Sequence, residues 1–366
     1  LDEVRLQRNI AAMRARLATH GVPLRQHVKT SKCIEVVRRA LEGQPGGITV
    51  STLKEADQLL AHGLSDIVYA VGIAPGKLDH VQALQQKGAA ITLLVDSLAG
   101  ALQVAAGGQR LGTVFPTLIE LDTDNHRAGV KPDAAALLDI GRALHESRGT
   151  RLAGVLTHAG ESYNCRSIAA IEAMAEQERS GAVRAAERLR AAGLPCPMVS
   201  IGSTPTAVYG KRFDGITEVR AGVFVFFDLV MAGIDVCRID DIALSVLTTV
   251  IGHRPEKGWL LIDAGWMALS RDRGTARHPV DQGYGVVCDV EGRPLDGLIV
   301  VDASQEHGII GVRPGSAARL PDLAIGTRVR ILPNHACATG AQHDAYQVVR
   351  TGHRELVANW PRMRGW

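Results

Sequence analysis

No apolar run in this chain is long enough to cross a bilayer, and no secretory signal is visible at its start. The first residue is Leu1 rather than Met and the opening stretch is helix-like, so a short preceding piece is expected, and with it a signal stays open. Paired cysteines are also missing. Cys33, Cys165, Cys196, Cys237, Cys288 and Cys337 are scattered and form no CxxC, which suits reduced thiols in a cytoplasmic protein better than a disulfide framework. Nor is there an excess of charge. Forty-one Lys and Arg against 38 Asp and Glu leave a net charge of +3, which argues against a dedicated nucleic-acid or polybasic membrane surface but allows a local anion site. Low-complexity segments and short internal repeats are absent.

What is present is an ordinary globular composition, 46% apolar and 22% charged, over 366 residues, enough for one large domain and a smaller one. Eight short β-rich runs are expected, at 24–28, 48–50, 66–71, 91–96, 117–122, 152–158, 198–202 and 216–221. Helical patterns fall between them, as at 52–62, 133–146 and 168–192. Strands alternating with helices imply right-handed crossovers and a parallel sheet, and eight such units imply a closed (β/α)8 barrel in an α/β chain. An open doubly wound sheet is the alternative, but no Gly-rich turn follows Val28. Near Val230 the pattern changes to short strands punctuated by Gly and Pro, at 244–252, 258–263, 285–289, 298–302, 308–312, 328–332 and 346–350. Helical periodicity is absent there, and an antiparallel β-domain is expected.

Barrel chemistry sits at the C-terminal strand ends. The first ends in His27-Val28-Lys29-Thr30. A lysine there faces a partly dehydrated site that favours Schiff-base chemistry, although by position alone a surface lysine at a loop start is the commoner outcome. The fifth ends in Asp122-Thr123-Asp124-Asn125-His126-Arg127. Turn chemistry accounts for part of that cluster, but Arg127 over a barrel mouth suits a phenolate or carboxylate. The sixth ends in Thr157-His158-Ala159-Gly160-Glu161-Ser162-Tyr163, where His158 is as often a packing residue as a functional one. Gly202-Ser203-Thr204 after the seventh strand and Ala221-Gly222 after the eighth offer free N–H groups for a phosphate. A barrel with a phosphate cradle and a lysine at its mouth fits a phosphorylated aldehyde cofactor.

The run Arg25-Gln26-His27-Val28-Lys29-Thr30-Ser31-Lys32 resembles the cofactor-lysine segment of the fold-type III pyridoxal-phosphate enzymes, the alanine racemase group, and within it the D-serine dehydratase and D-threonine aldolase branch. Thr157-His158-Ala159-Gly160, Gly202-Ser203-Thr204-Pro205-Thr206, Asp263-Ala264-Gly265-Trp266 and Gln305-Glu306-His307-Gly308 continue the likeness in order over essentially the whole chain. The resemblance implies a cofactor-binding barrel over 1–230 and a β-domain over 231–366. It also implies a homodimer in which the partner's β-domain closes each active site. Lys29 matches the lysine that carries pyridoxal 5'-phosphate. His27, His158 and Tyr163 are expected beside the cofactor, Arg127 near its phenolic oxygen, and Gly202, Ser203, Thr204, Ala221 and Gly222 around its phosphate. Tyr284 is expected to reach the partner's site.

Within Pro333-Asn334-His335-Ala336-Cys337, residues two apart on a strand point the same way, so His335 and Cys337 can share one ion. Imidazole with thiolate favours zinc, with manganese and magnesium as alternatives. A lone His-x-Cys is usually packing. The resemblance gives it meaning, because the dehydratases of the branch carry His-x-Cys here and the aldolases His-x-Asp. The implied reaction is β-elimination from a 3-hydroxy-D-amino acid, D-threo-3-hydroxyaspartate to oxaloacetate and ammonia first, D-serine to pyruvate second. Lys29 is expected to anchor the cofactor and then act as base at Cα, with the metal holding the leaving hydroxyl. The alternatives are the retro-aldol reaction, racemisation and a non-catalytic cofactor-homeostasis protein. Arg271, Arg273 and Arg277 are candidates for a second substrate carboxylate or for a solvated loop.

Overall fold

The computed structural model describes residues 1–365; Trp366, the last residue of the expected β-domain, lies outside them. Eight parallel strands close on themselves in chain order. They are β1 (Leu24–His27), β2 (Ile48–Val50), β3 (Asp66–Gly72), β4 (Ala90–Val95), β5 (Phe115–Leu121), β6 (Thr150–Thr157), β7 (Met198–Ile201) and β8 (Glu218–Ala221). Closure is made by β1 on β8, with Leu24 opposite Val219 and Gln26 opposite Ala221. Strands covered on both faces are buried along their length, as β2 is at all three positions. Side chains start the helices between them. Thr52 accepts from Glu55 N, Ser97 from Gly100 N, Ser167 from Ala170 N and Ser203 from Thr206 N. Gly112, at φ 64, stops the helix Leu98–Leu111 in the left-handed conformation that glycine adopts freely.

The eight strands agree with the sequence expectation to within a few residues, and so do the helices Leu53–Ala61, Ala135–Glu146 and Ile168–Ala191. A buried ionic network runs through the barrel strands. Arg25 on β1 meets Glu218 on β8 at 2.6 Å and Asp66 at the start of β3 at 3.0 Å. Ser200 donates to Glu218 at 2.6 Å and accepts from Arg220 at 2.6 Å. Each charge thus has a partner, without which its burial would be prohibitive.

The described chain forms two compact units, residues 12–222 with 363–365, and residues 1–11 with 223–362. The second unit holds a closed antiparallel barrel in the order β10-β13-β12-β11-β14-β9. Its strands are β9 (Val246–Arg254), β10 (Trp259–Ile262), β11 (Val286–Cys288), β12 (Pro294–Ala303), β13 (Gly308–Val312) and β14 (Arg328–Leu332). Val250, Leu260, Ile262, Val287, Val300, Ile310, Val329 and Ile331 fill its core. The run expected at 346–350 is a strand, Ala345–Val348, which pairs antiparallel with Ala358–Pro361 in a separate two-stranded sheet. One expectation needs correction. The β-domain is not free of helix, since Leu229–Gly233, Trp266–Leu269 and Ala336–Gly340 are short helices.

Candidate active site

Lys29 leaves the end of β1 in a chain that is fixed on both sides of it. Val28 N donates to Thr49 O at 2.9 Å and Lys32 N to Val28 O at 2.8 Å, while Thr30 and Ser31 are buried. The Lys29 side chain itself is exposed, in place of the partly dehydrated setting expected for it. His27 precedes it, its Nδ1 3.5 Å from Lys29 N and its Nε2 3.5 Å from Ser51 Oγ. Burial pushes the His27 pKa well below its usual value, and the positive charges of Lys29 and Arg220 push the same way.

His158, at the end of β6, holds Gly202 O at 2.8 Å through Nδ1. A carbonyl only accepts, so Nδ1 carries the proton and Nε2 keeps its lone pair. Burial, reinforced by Lys29, lowers this imidazole to about 3. His158 is therefore a neutral ring at any physiological pH. Tyr163 follows in the 3-10 turn Gly160–Asn164, its ring centroid 6.1 Å from that of His158 and tilted by 49°.

The ends of β7 and β8 are built from small residues that packing requires. Gly202 has φ 140, and a Cβ there would lie 2.0 Å from Arg220 O. At Gly222 a Cβ would come within 3.0 Å of His27 O. Ser203 caps the helix Thr204–Tyr209, and its hydroxyl lies 2.8 Å from Ser162 Oγ and 3.0 Å from Thr206 Oγ1. Thr204 Oγ1, by contrast, is buried with no hydrogen-bond partner, and Ala221 beside it in the sequence of strand ends is buried on β8. An orphaned buried hydroxyl at strand ends kept clear of side chains suits a phosphate. The residues present therefore fit pyridoxal 5'-phosphate.

Arg127 is exposed, 3.9 Å from Glu120 on β5. Burial raises the Glu120 pKa, and Arg127 opposes that rise. Asp122 is consumed locally, accepting from Asn125 N at 2.7 Å and from Lys131 Nζ at 2.7 Å. The part of this cluster read as turn chemistry is accordingly structural.

Sequence reasoning missed Glu178. In the helix Ile168–Ala191 it is completely buried, and one oxygen accepts from both Ala159 N and Gly202 N at 3.0 Å. The other accepts from Thr206 Oγ1 at 2.7 Å. One carboxylate thus ties the end of β6 to the end of β7. A signal existed, since Glu178 occupies the stripe of Ile171, Ala175, Ala182, Ala185 and Leu189 that the helix buries. Arg220 was also overlooked. It is buried on β8 and donates to Ser200 Oγ and to Thr157 O.

His335 and Cys337 belong to the other compact unit, and their backbone differs from expectation. They do not lie on a strand. His335 is the extended N-cap of the helix Ala336–Gly340, and Cys337 is its second residue. Buried Asp228 sets this start, accepting from Ala336 N at 2.9 Å and from Met231 N at 3.0 Å. His335 Nδ1 meets Asp272 Oδ2 at 2.6 Å. Burial disfavours the charged ring, but the hydrogen bonds to Asp272 and Cys337 outweigh it and raise the pKa to about 11. A carboxylate behind an imidazole, with a thiol in contact with that imidazole, is the second-sphere pattern of a metal-binding histidine. Among the described residues no group of three or more His, Cys, Asp or Glu side chains is placed to hold an ion. The pair fits a cation that keeps open positions, as a catalytic ion does. Arg273 is taken up by Asp281 at 2.6 Å and lies 5.3 Å from the Tyr284 ring centroid.

Residues 1–230 match the family model described as alanine racemase, N-terminal domain, and residues 243–349 that of a putative serine dehydratase domain. The chain is 55% identical to D-threo-3-hydroxyaspartate dehydratase of Delftia sp. (strain HT23), covering 100% of this chain and 96% of that one. The solved structure of that enzyme superposes with a TM-score of 0.96 at 54% identity, covering 100% of this chain and 97% of the other. A cysteine-to-alanine variant of it is known in the metal-free form, with a TM-score of 0.95 and the same coverage and identity. D-serine dehydratase of Dictyostelium discoideum is 29% identical over 100% of this chain and 95% of its own. D-threonine aldolase of an Arthrobacter species is 29% identical over 96% and 88%.

Proposed function

The chain belongs to the alanine racemase N-terminal-domain family, and on that premise we propose that it is a pyridoxal-phosphate- and divalent-metal-dependent dehydratase of 3-hydroxy-D-amino acids. Its first substrate on this reading is D-threo-3-hydroxyaspartate, converted to oxaloacetate and ammonia, with D-serine second. Full-length identity of 55% to a dehydratase of that substrate carries the reading. Cys337 beside His335 supports it, since the resemblance puts a carboxylate at this place in the aldolases.

When bound, the cofactor supplies an electron sink for negative charge at Cα, and the cation supplies a Lewis acid for the departing β-hydroxyl. The rest falls to side chains of this chain. Lys29 Nζ holds the cofactor and then takes the proton from Cα. Neutral His158 and His27 line the approach to Lys29 without competing for that proton. Thr204 Oγ1 and the strand ends at Gly202, Ser203, Ala221 and Gly222 would hold the phosphate, Arg127 would serve the phenolic oxygen, and Tyr163 would serve the ring. His335 and Cys337 hold the cation, with Asp272 fixing the imidazole. Zinc matches this donor pair best. The active form is a homodimer, each site completed by the partner's β-domain, with the domain boundary near residue 230.

The test is a product assay with Lys29→Ala as control. Wild-type holoenzyme is expected to release keto acid and ammonia in equal amounts, and Lys29→Ala neither. Glycine with an aldehyde, and no ammonia, would replace the elimination by the aldolase reaction.

A further inference from the structure

A 3-hydroxyaspartate differs from serine by a carboxylate on the same carbon that bears the leaving hydroxyl. A group that recognises this carboxylate must therefore stand near the ion that takes the hydroxyl. Segment 266–273 meets that condition. It is laced to segment 335–343 at three points: Asp272 Oδ2 on His335 Nδ1 at 2.6 Å, Thr339 Oγ1 donating to Leu269 O at 2.8 Å, and His343 Nε2 donating to Ala268 O at 3.0 Å. Inside it stands Ser270, buried, with φ 76 and ψ 162. That region of backbone space is occupied almost only by glycine, and a serine held there marks a corner that the surroundings over-determine. The Ser270 hydroxyl accepts from Asp272 N at 3.1 Å, so the corner also sets the residue that orients His335.

Arg271 lies between Ser270 and Asp272. It is exposed, and its Cζ is 4.9 Å from the centroid of the Trp266 ring. Among the described residues no carboxylate pairs with it. A guanidinium over an aromatic face keeps its N–H edge available for a carboxylate. Arg273 is committed to Asp281, and Arg277 ends the 3-10 turn Gly274–Arg277 that follows.

We infer that Arg271 is the specificity residue for the second carboxylate of a dicarboxylic 3-hydroxy-D-amino acid. This rests on the dehydratase reading and on His335 and Cys337 as the cation's ligands. The experiment compares holoenzyme wild type, Arg271→Met, Arg271→Lys and Arg277→Met. Turnover is measured on D-threo-3-hydroxyaspartate and D-serine. Calorimetric binding is measured with D-aspartate and D-alanine, which carry no leaving hydroxyl. Arg271→Met is expected to lower kcat/KM on the dicarboxylate by about 10- to 100-fold, mostly through KM, while D-serine turnover is unchanged. Its preference for D-aspartate over D-alanine disappears, Arg271→Lys keeps part of both, and Arg277→Met keeps all. Equal losses on the two substrates, no loss on either, or the same loss in Arg277→Met would overturn the inference. A wild type that releases ammonia from neither substrate sinks the dehydratase reading, and the D-aspartate binding arm still decides Arg271 by itself.

Discussion

Glu178 is a buried carboxylate facing three donors, Ala159 N, Gly202 N and Thr206 Oγ1. Replacing it with leucine leaves two buried N–H groups unpaired, at about 1–3 kcal/mol each. Glutamine can still accept from both N–H groups with its oxygen and donate to Thr206 with its amide. Glu178→Leu is therefore expected to lose a few kcal/mol in urea unfolding and to weaken cofactor binding, while Glu178→Gln keeps most of both. Equal behaviour of the two variants would contradict the assigned hydrogen bonds. Asp272 acts at the same scale. Asp272→Asn removes the carboxylate behind His335 and is expected to weaken metal affinity about 10- to 100-fold in a competition titration, with cofactor loading unchanged. The function of Glu178 could have been suspected from a charge on a buried helical stripe. The Asp272–His335 contact could not, because 63 residues separate the two side chains and no local pattern links them.

At the scale of elements, the barrel was legible because short β-rich runs alternate with helical patterns, and that alternation repeats eight times. The turn at Gly202 is a tight joint. A Cβ 2.0 Å from Arg220 O cannot be accommodated by side-chain movement, since the obstacle is backbone. Gly202→Ala is expected to lower Tm and to reduce phosphate affinity in the cofactor-free protein, whereas Gly193→Ala, in open space, leaves phosphate affinity unchanged. The His335–Cys337 segment was read as a strand because a five-residue helix is shorter than the window in which a 3.6-residue period shows itself. The two side chains still meet, because an N-cap and the second helical position also bring them together. Strand Ala358–Pro361 escaped notice for a related reason: with Asn in the middle and Pro at its end, it has no alternating pattern.

At the scale of the whole molecule, the buried neutral histidines give folding a pH dependence. The folded-state pKa of His158 is depressed to about 3 from 6.5. Below pH 6.5 the unfolded chain takes up a proton that the folded ring refuses, so its stabilisation is complete above pH 6.5 and is lost as pH falls towards 3. His27, depressed in the same direction, adds to that loss. His158→Asn, which keeps a donor for Gly202 O, is expected to narrow the difference in unfolding free energy between pH 7 and pH 4.5 by a few kcal/mol. A wild-type slope retained in the variant would place the acid sensitivity elsewhere. Antiparallel barrel closure joins β9 to both β14 and β10, a pairing across the length of the second unit that no single stretch of sequence reveals. The central claim is that one chain places a cofactor lysine and a thiolate-imidazole cation pair in the service of β-elimination. Its most direct test is stoichiometry. Incubated with D-threo-3-hydroxyaspartate, the holoenzyme should yield oxaloacetate and ammonia one for one, with chelation or Cys337→Ala suppressing both. Glycine and glyoxylate without ammonia, or turnover indifferent to chelator and to Cys337→Ala, would contradict it.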